Sequence, residues 1–279
     1  MVTDKPCGSM RAQNAARASC REPPAMKTSP PLAPLGVPQR SCLILGCGGH
    51  GRVVLDILMQ GGEFDPVGFV DSNRDYMGRR VDGIPVLGHP DQLPDLRASL
   101  GVGRAIVAVG NNGVRRAFAD QLERWGFELI NAIHPSANLA RNVSLGRNIV
   151  VAAGALVCAH CQIGDSVILN TGCIIDHESF IGTATHVCPG ARIAGRVTIE
   201  SGAFVGIGAT IIQSLRIGYE AVVGAGAVVI HDVAPMSTVV GVPARETRAV
   251  GNVPTLQSWL MPELTRPGGS PVPIPVAAV

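Results

Sequence analysis

Three short stretches of the chain carry side chains able to do chemistry. Ile174-Ile175-Asp176-His177-Glu178-Ser179 sets an imidazole directly before a carboxylate. Such a pair can take a proton from a nucleophile, the acid stabilising the imidazolium that forms, and it can equally be an ordinary exposed pair. Gly46-Cys47-Gly48-Gly49-His50-Gly51 is a GxGxxG, in which missing side chains let a phosphate approach a helix N-terminus. Cys158-Ala159-His160-Cys161 resembles half of a zinc site, but no second CxxC or HxxxH pair completes it, so no metal is expected.

The glycine motif sits where such a motif works. A buried-strand run, Ser41 to Leu45, precedes it, and Val53, Val54, Ile57 and Leu58 lie on one side of the helix that follows. A second strand, Pro66 to Val70, ends at Asp71, a third runs from Arg104 to Val109 before Gly110-Asn111-Asn112, and 114–125 reads as a helix. Together these make a Rossmann-like α/β domain over 41–132, about half the length of a full dinucleotide-binding fold. Asp71 on a ribose would be a fair guess from motif alone, but no dehydrogenase-like half follows.

The His177-Glu178 pair lies in a different kind of sequence. In steps of six come Ile133, Leu139, Leu145, Val151, Val157, Ile163, Leu169, Ile175, Ile181, Val187, Ile193, Ile199, Val205, Ile211, Ile217, Val223 and Val229, all Ile, Leu or Val. Four residues after each, the side chain is mostly small or β-branched, as at Ala155, Cys161, Cys173, Ser179, Ala191 and Ala203. A period of six fits neither a helix nor hairpin strands, so it describes a solenoid over 133–247, three hexads to a triangular coil of eighteen residues. Both residue classes fill a prism too narrow for aromatics, and the last two of the three residues between them turn each corner. His177 and Glu178 occupy such a corner. Gly195 lies one coil above His177, His160 one coil below Glu178, and His186 one corner further on, on another face.

Composition limits the alternatives. The chain has 279 residues, 46% hydrophobic and only 4% aromatic, which allows two aliphatic cores. A formal net charge of +2 argues against a nucleic-acid partner. No apolar run is long enough to span a membrane and no signal-peptide core appears near the start, so a cytoplasmic protein with reduced cysteines is expected. Residues 1–40 and the end of a 248–279 extension are rich in Pro and small residues and are expected to be disordered, with Met26 a second possible start.

The segments LGCGGHGRVVLDIL, FVDS, VAVGNN, INAIHPSA and NTGCIIDHESFIGTATHVCPGARIAG, closed by Gly241-Val-Pro-Ala-Arg245, resemble the bacterial sugar O- and N-acetyltransferases of the hexapeptide-repeat transferase superfamily. The resemblance covers 41 to about 247. It implies a left-handed parallel β-helix, the exception to the usual crossover hand, and a homotrimer with active sites between subunits. It implies acetyl-CoA as cosubstrate and a sugar or nucleotide-sugar acceptor. His177 becomes the general base, assisted by Glu178 and by the Gly195 N–H as oxyanion donor. The CoA contacts map to His186, Ile207 and Ala225, and the acceptor contacts to Gly48, Gly49, His50, Asp71, Ser72 and Gly110. The hexads carry no inserted loop to clasp an acceptor, which favours N-acetylation of a UDP-linked 4-amino sugar over O-acetylation of a sialic acid. A zinc-dependent γ-carbonic anhydrase and a non-catalytic scaffold are the more distant alternatives.

Overall fold

The computed structural model describes residues 39–247; the two terminal stretches expected to be disordered lie outside the described residues, but for the last two residues of the first. The α/β part opens with β1 (Ser41–Leu45), α1 (Gly49–Gly61) and β2 (Asp65–Val70). It continues through β3 (Arg80–Val81), β4 (Ile84–Gly88), α2 (Leu93–Leu100), β5 (Arg104–Val107), α3 (Asn112–Arg124) and β6 (Glu128–Leu129). The sheet order is β3-β4-β2-β1-β5-β6, parallel throughout except for β3 against β4. The strand order reverses between β1 and β5, and the crevice outside the carboxyl ends of such a pair is where doubly wound sheets take their ligands. The sequence reading found β1, β2, β5, α1 and α3. It missed β3, β4, α2 and β6, which are short or weakly periodic.

From Ala132 onward each strand is a dipeptide ending on a hexad residue: 132–133, 138–139 and so on to 228–229. Strands eighteen residues apart pair in parallel, as Val150↔Ile168 and Ile168↔His186 do, giving three sheets that form the sides of a prism. The hexad residues and the small residues four places on form one buried aliphatic cluster. Phe180 and Phe204 take outward positions, as a prism too narrow for aromatics requires. Cys161 and Cys173 are wholly buried inside it, as their small size led us to expect.

The corners explain the two residues spared from the core. The second residue of each corner adopts the left-handed conformation, with φ near +60° at Asn148, His160, Ser166, Glu178, Ala184 and Arg196. That conformation costs a non-glycine residue about 1–2 kcal/mol, offset here by the inter-coil ladder it permits. Where Gly precedes the corner the reason is space: a Cβ on Gly182 would lie 2.5 Å from the Ser201 nitrogen in the next coil. The top is closed by Thr238–Val240, against which Arg245–Glu246 returns antiparallel after the Gly241-Val-Pro-Ala turn.

One face of the prism is the floor of the α/β part. Its outward residues Ala132, Val150 and Ile168 are wholly buried and pack with Ile44, Val54, Ile57 and Leu58 of β1 and α1 in a single cluster. This apolar ladder is why these three outward positions are not polar, as those of an exposed solenoid face would be; the next rung of the same face is His186.

Candidate active site

His177 and Glu178 form the corner that follows strand 174–175, and both project from the prism, half exposed. His177 Nδ1 and Glu178 Oε2 are 3.1 Å apart. With Nδ1–H donating to that carboxylate, Nε2 carries the free lone pair. The corner is fixed from inside. Asp176 Oδ1 accepts the His177 N–H at 2.7 Å, and this bond, its leading cause, holds the Asp176 carboxyl below its usual range.

Gly195, one coil above, is where the imidazole rests. A Cβ there would stand 2.6 Å from His177 Nε2 and 2.7 Å from Cε1, so only glycine leaves the ring its place. The Gly195 N–H meets no acceptor among the described residues. Next along the same corner column, Arg196 Nη1 lies 3.9 Å from Glu178 Oε2 while its Nε reaches Ser214 Oγ. His160 does not join this group: its ring bonds Asn142, one coil further down, rather than Glu178. The Cys158-Ala-His-Cys161 stretch also diverges. Cys161 lies in the core and its thiol donates to the Asp176 carbonyl at 3.1 Å, whereas His160 faces outward.

Ile207 and Ala225 take equivalent positions in consecutive coils at a different corner of the prism from His177. Ile207 is 57% exposed, an apolar side chain that the described residues cover only in part. His186 belongs to the strand that leads into the same corner column, one coil below Ile207. It sits on the prism face beneath the α/β part, its ring centroid 6.5 Å from that of His50 and edge-on to Phe204, with Nε2 3.1 Å from the Asn170 amide. Two histidines expected to serve different ligands are therefore neighbours.

Burial leads the forces on both. It pushes His186 down to about 3 and His50 down to about 4, and the buried Arg115 guanidinium adds to each shift. At these values both rings are neutral near pH 7, and among the described residues His50 Nε2 and His186 Nδ1 are buried without a hydrogen-bond partner. His50 does not cap its helix: the N-cap of α1 is Gly48, and no side chain bonds there.

The glycine loop has two kinds of glycine. Gly46, at φ +104°, and Gly51 are there for closeness, since a Cβ on Gly51 would meet the Gly46 carbonyl at 2.1 Å. Around Gly48, Gly49 and Gly110 there is open space instead, so bare backbone faces outward at the carboxyl ends of β1 and β5. Asp71 braces this loop: Oδ2 accepts the Cys47 N–H at 2.7 Å and Oδ1 the Asn73 N–H at 2.8 Å, with exposed Ser72 between them. Cys47 is buried, and burial first, then Asp71, lifts its thiol to about 12, so it is not a nucleophile.

Sequence reasoning overlooked what joins the two parts. Arg115 of α3 is 0% exposed and has no carboxylate partner among the described residues. Its Nε donates to Ser166 O, Nη1 to Val109 O and Gly110 O, and Nη2 to Asn112 Oδ1, Ala184 O and Thr185 O. Asn112 Nδ2 donates to Gly202 O and Ala203 O, and buried Asn148 Oδ1 accepts the Val107 N–H of β5 at 2.7 Å. Residues 148, 166, 184 and 202 form one corner column of the prism, so β5 and the first turn of α3 are fastened to four successive coils. Arg115-Arg116 reads as an ordinary helical pair, and the only sequence signal was Asn111 and Asn112 at a helix start.

Among the described residues no helix is long and apolar enough to cross a membrane, and no three His, Cys, Asp or Glu side chains gather as a metal site.

Comparison with known proteins agrees with this architecture. Residues 41–122 match the PglD N-terminal domain family. A point mutant of perosamine N-acetyltransferase from Caulobacter crescentus, solved with CoA and GDP-perosamine, is 39% identical and superposes with a TM-score of 0.71 over 75% of this chain and 97% of that one. The acetyltransferase domain of PglB from Neisseria gonorrhoeae FA1090, solved with acetyl coenzyme A, is 34% identical, with a TM-score of 0.70 over 75% of this chain and 99% of that one. UDP-N-acetylbacillosamine N-acetyltransferase of Bacillus subtilis (strain 168) is 32% identical over 115 residues, 41% of this chain. That match spans about half, 52%, of the curated relative's length.

Proposed function

Since the chain belongs to the hexapeptide-repeat sugar acetyltransferases, with their α/β domain and left-handed β-helix, we propose that it moves acetyl from acetyl-CoA to the amine of a nucleotide-linked amino sugar. The observation that carries this reading is the His177-Glu178 corner with glycine above it, in a fold whose relatives are solved with CoA and a nucleotide sugar. Residues 41–132 hold the acceptor and 133–247 carry out the transfer.

In this mechanism the neutral amine attacks the thioester carbonyl. His177 Nε2 takes the nitrogen's proton as the tetrahedral adduct forms or collapses, the C–S bond breaks, and the imidazolium returns a proton to the departing CoA thiolate. Glu178 keeps Nδ1 protonated and stabilises the imidazolium. The unpartnered Gly195 N–H is the donor available to the carbonyl oxygen as it becomes an oxyanion. Bare backbone at Gly48, Gly49 and Gly110, together with His50 and the Asp71-Ser72 turn, receives the nucleotide.

Ile207 and Ala225 offer an apolar edge to CoA, but on a different corner from His177. This separation supports a homotrimer in which one subunit's base meets donor and acceptor held by another, and exposed Phe180 and Ile207 are the apolar side chains such packing would cover. Among the described residues Cys42, Cys47, Cys158, Cys161, Cys173 and Cys188 form no disulfide, which fits a cytoplasmic setting.

The test is thiol release from acetyl-CoA with UDP- and GDP-linked 4-amino sugars and free sialic acids, with product mass. The wild type should acetylate a nucleotide-linked amine, and His177→Ala should lose roughly 100-fold or more in kcat. No turnover with any nucleotide amino sugar, or an unimpaired alanine variant, would overturn the assignment.

A further inference from the structure

The contact between α3 and the prism has a chemistry that packing alone does not require. An interface whose only task is adhesion is made well by apolar side chains, as Val150 and Ile168 make it a few residues away. A fully buried guanidinium with no carboxylate beside it among the described residues is costly, and here burial lowers Arg115 to about 9. What guanidinium adds is direction, because its donors lie in one rigid plane.

That plane links two things. On one side Nη1 holds the carbonyls of Val109 and Gly110, the end of β5 that borders the open crevice. On the other, Nε and Nη2 hold the corner carbonyls of Ser166 and Ala184 in consecutive coils, and Asn112, itself bonded to Arg115, holds Gly202 in the next. The left-handed corners repeat these carbonyls at each coil, about 4.8 Å apart, the spacing of paired strands. A planar fork that bonds two rungs of this ladder and one loop carbonyl pair fixes both the height and the tilt of the crevice against the prism.

We propose that Arg115, assisted by Asn112, is a positioning residue for acetyl transfer. It sets the crevice rim at Gly110 relative to the transfer edge, and so determines where the acceptor amine is presented. This rests on the acceptor binding at that crevice, as in the function proposed above. Arg115 touches no reacting atom, so its loss should act on the acceptor and leave the donor side alone.

The experiment is steady-state kinetics of Arg115→Lys, Arg115→Met and Asn112→Ala in the full chain, with nucleotide amino sugar and acetyl-CoA varied separately, together with thermal melting and hydrogen exchange at 109–115. Lysine keeps the charge but not the fork. We expect Arg115→Lys to remain folded, with its KM for acetyl-CoA within twofold of wild type, kcat/KM for the acceptor at least tenfold lower, and faster exchange at 109–115. Asn112→Ala should show the same split to a smaller degree, and it decides the question if Arg115→Met does not fold.

Equal losses toward both substrates, in step with a lower melting temperature, would mark Arg115 as a fastener only and overturn the proposal. So would a lysine variant with wild-type acceptor kinetics. If the wild type itself acetylates no nucleotide sugar, it is the functional reading that falls.

Discussion

Gly195→Ala puts the catalytic reading at risk most directly, because its effect can be worked out from distances. The added Cβ would stand 2.6 Å from His177 Nε2, 2.7 Å from Cε1 and 3.0 Å from Cδ2. Non-bonded carbon contacts are comfortable near 3.5 Å, so the imidazole must retreat by about 0.9 Å or swing outward. Its own chain leaves it room to do so, since its side chain is 46% exposed. The backbone of Gly195 is not left-handed, so alanine suits its conformation. Stability should therefore change by less than about 0.5 kcal/mol, as for an ordinary surface substitution. Function should not be spared: displacing a base by about 1 Å can cost roughly 100-fold. The assay is kcat by thiol release alongside a melting curve and the KM for acetyl-CoA. A fall of roughly 30-fold to 100-fold in kcat with an unchanged melting temperature is expected. Wild-type turnover would refute the claim that His177 works from its place against Gly195, and a large loss of stability would refute the claim that the ring is free to yield.

Acid should loosen the junction of the two parts. His50 and His186 have folded-state values of about 4 and 3, depressed from 6.5, so the unfolded chain binds more protons between these limits. Their contribution is complete above about pH 6.5 and falls as pH drops toward 4, by up to about 1.4 kcal/mol per pH unit for each ring. Denaturant titrations from pH 7.5 to 4.5 should show a shallower slope in His186→Gln; parallel curves would count against the buried neutral pair. Asn148→Leu should destabilise the chain by about 1–3 kcal/mol by stranding the Val107 N–H inside the junction, and exchange at that amide should rise well above that of its strand neighbours.

Much of this molecule was legible before coordinates. Each hexad from Ile133 to Val229 ends a strand, because a prism of fixed width dictates residue size at fixed intervals and the sequence has no other way to satisfy it. Gly195 above His177 followed from the same arithmetic. The glycine loop was found because close approach leaves a signature of absent side chains. What escaped were groups whose partners are backbone atoms far away in sequence. Ser166 and Ala184 carbonyls look like any others, so nothing near Arg115 announces that it is buried on them. The neighbourhood of His50 and His186 escaped for a similar reason, since it depends on how one part docks on the other rather than on the period of either.

The exclusion of aromatics from the prism also makes the molecule easy to interrogate by light. Of its two tryptophans, Trp125 ends α3 and packs in the far layer of the α/β part, and Trp259 lies outside the described residues. Among the described residues no indole samples the stacked coils, so in a Trp259→Phe variant changes in Trp125 emission report on the α/β layers, whereas backbone dichroism in the far ultraviolet is weighted by the many coil strands. Melting followed by both signals would tell whether the column outlasts its passenger: coincident curves mean one cooperative unit, and separated curves mean that the solenoid stands on its own.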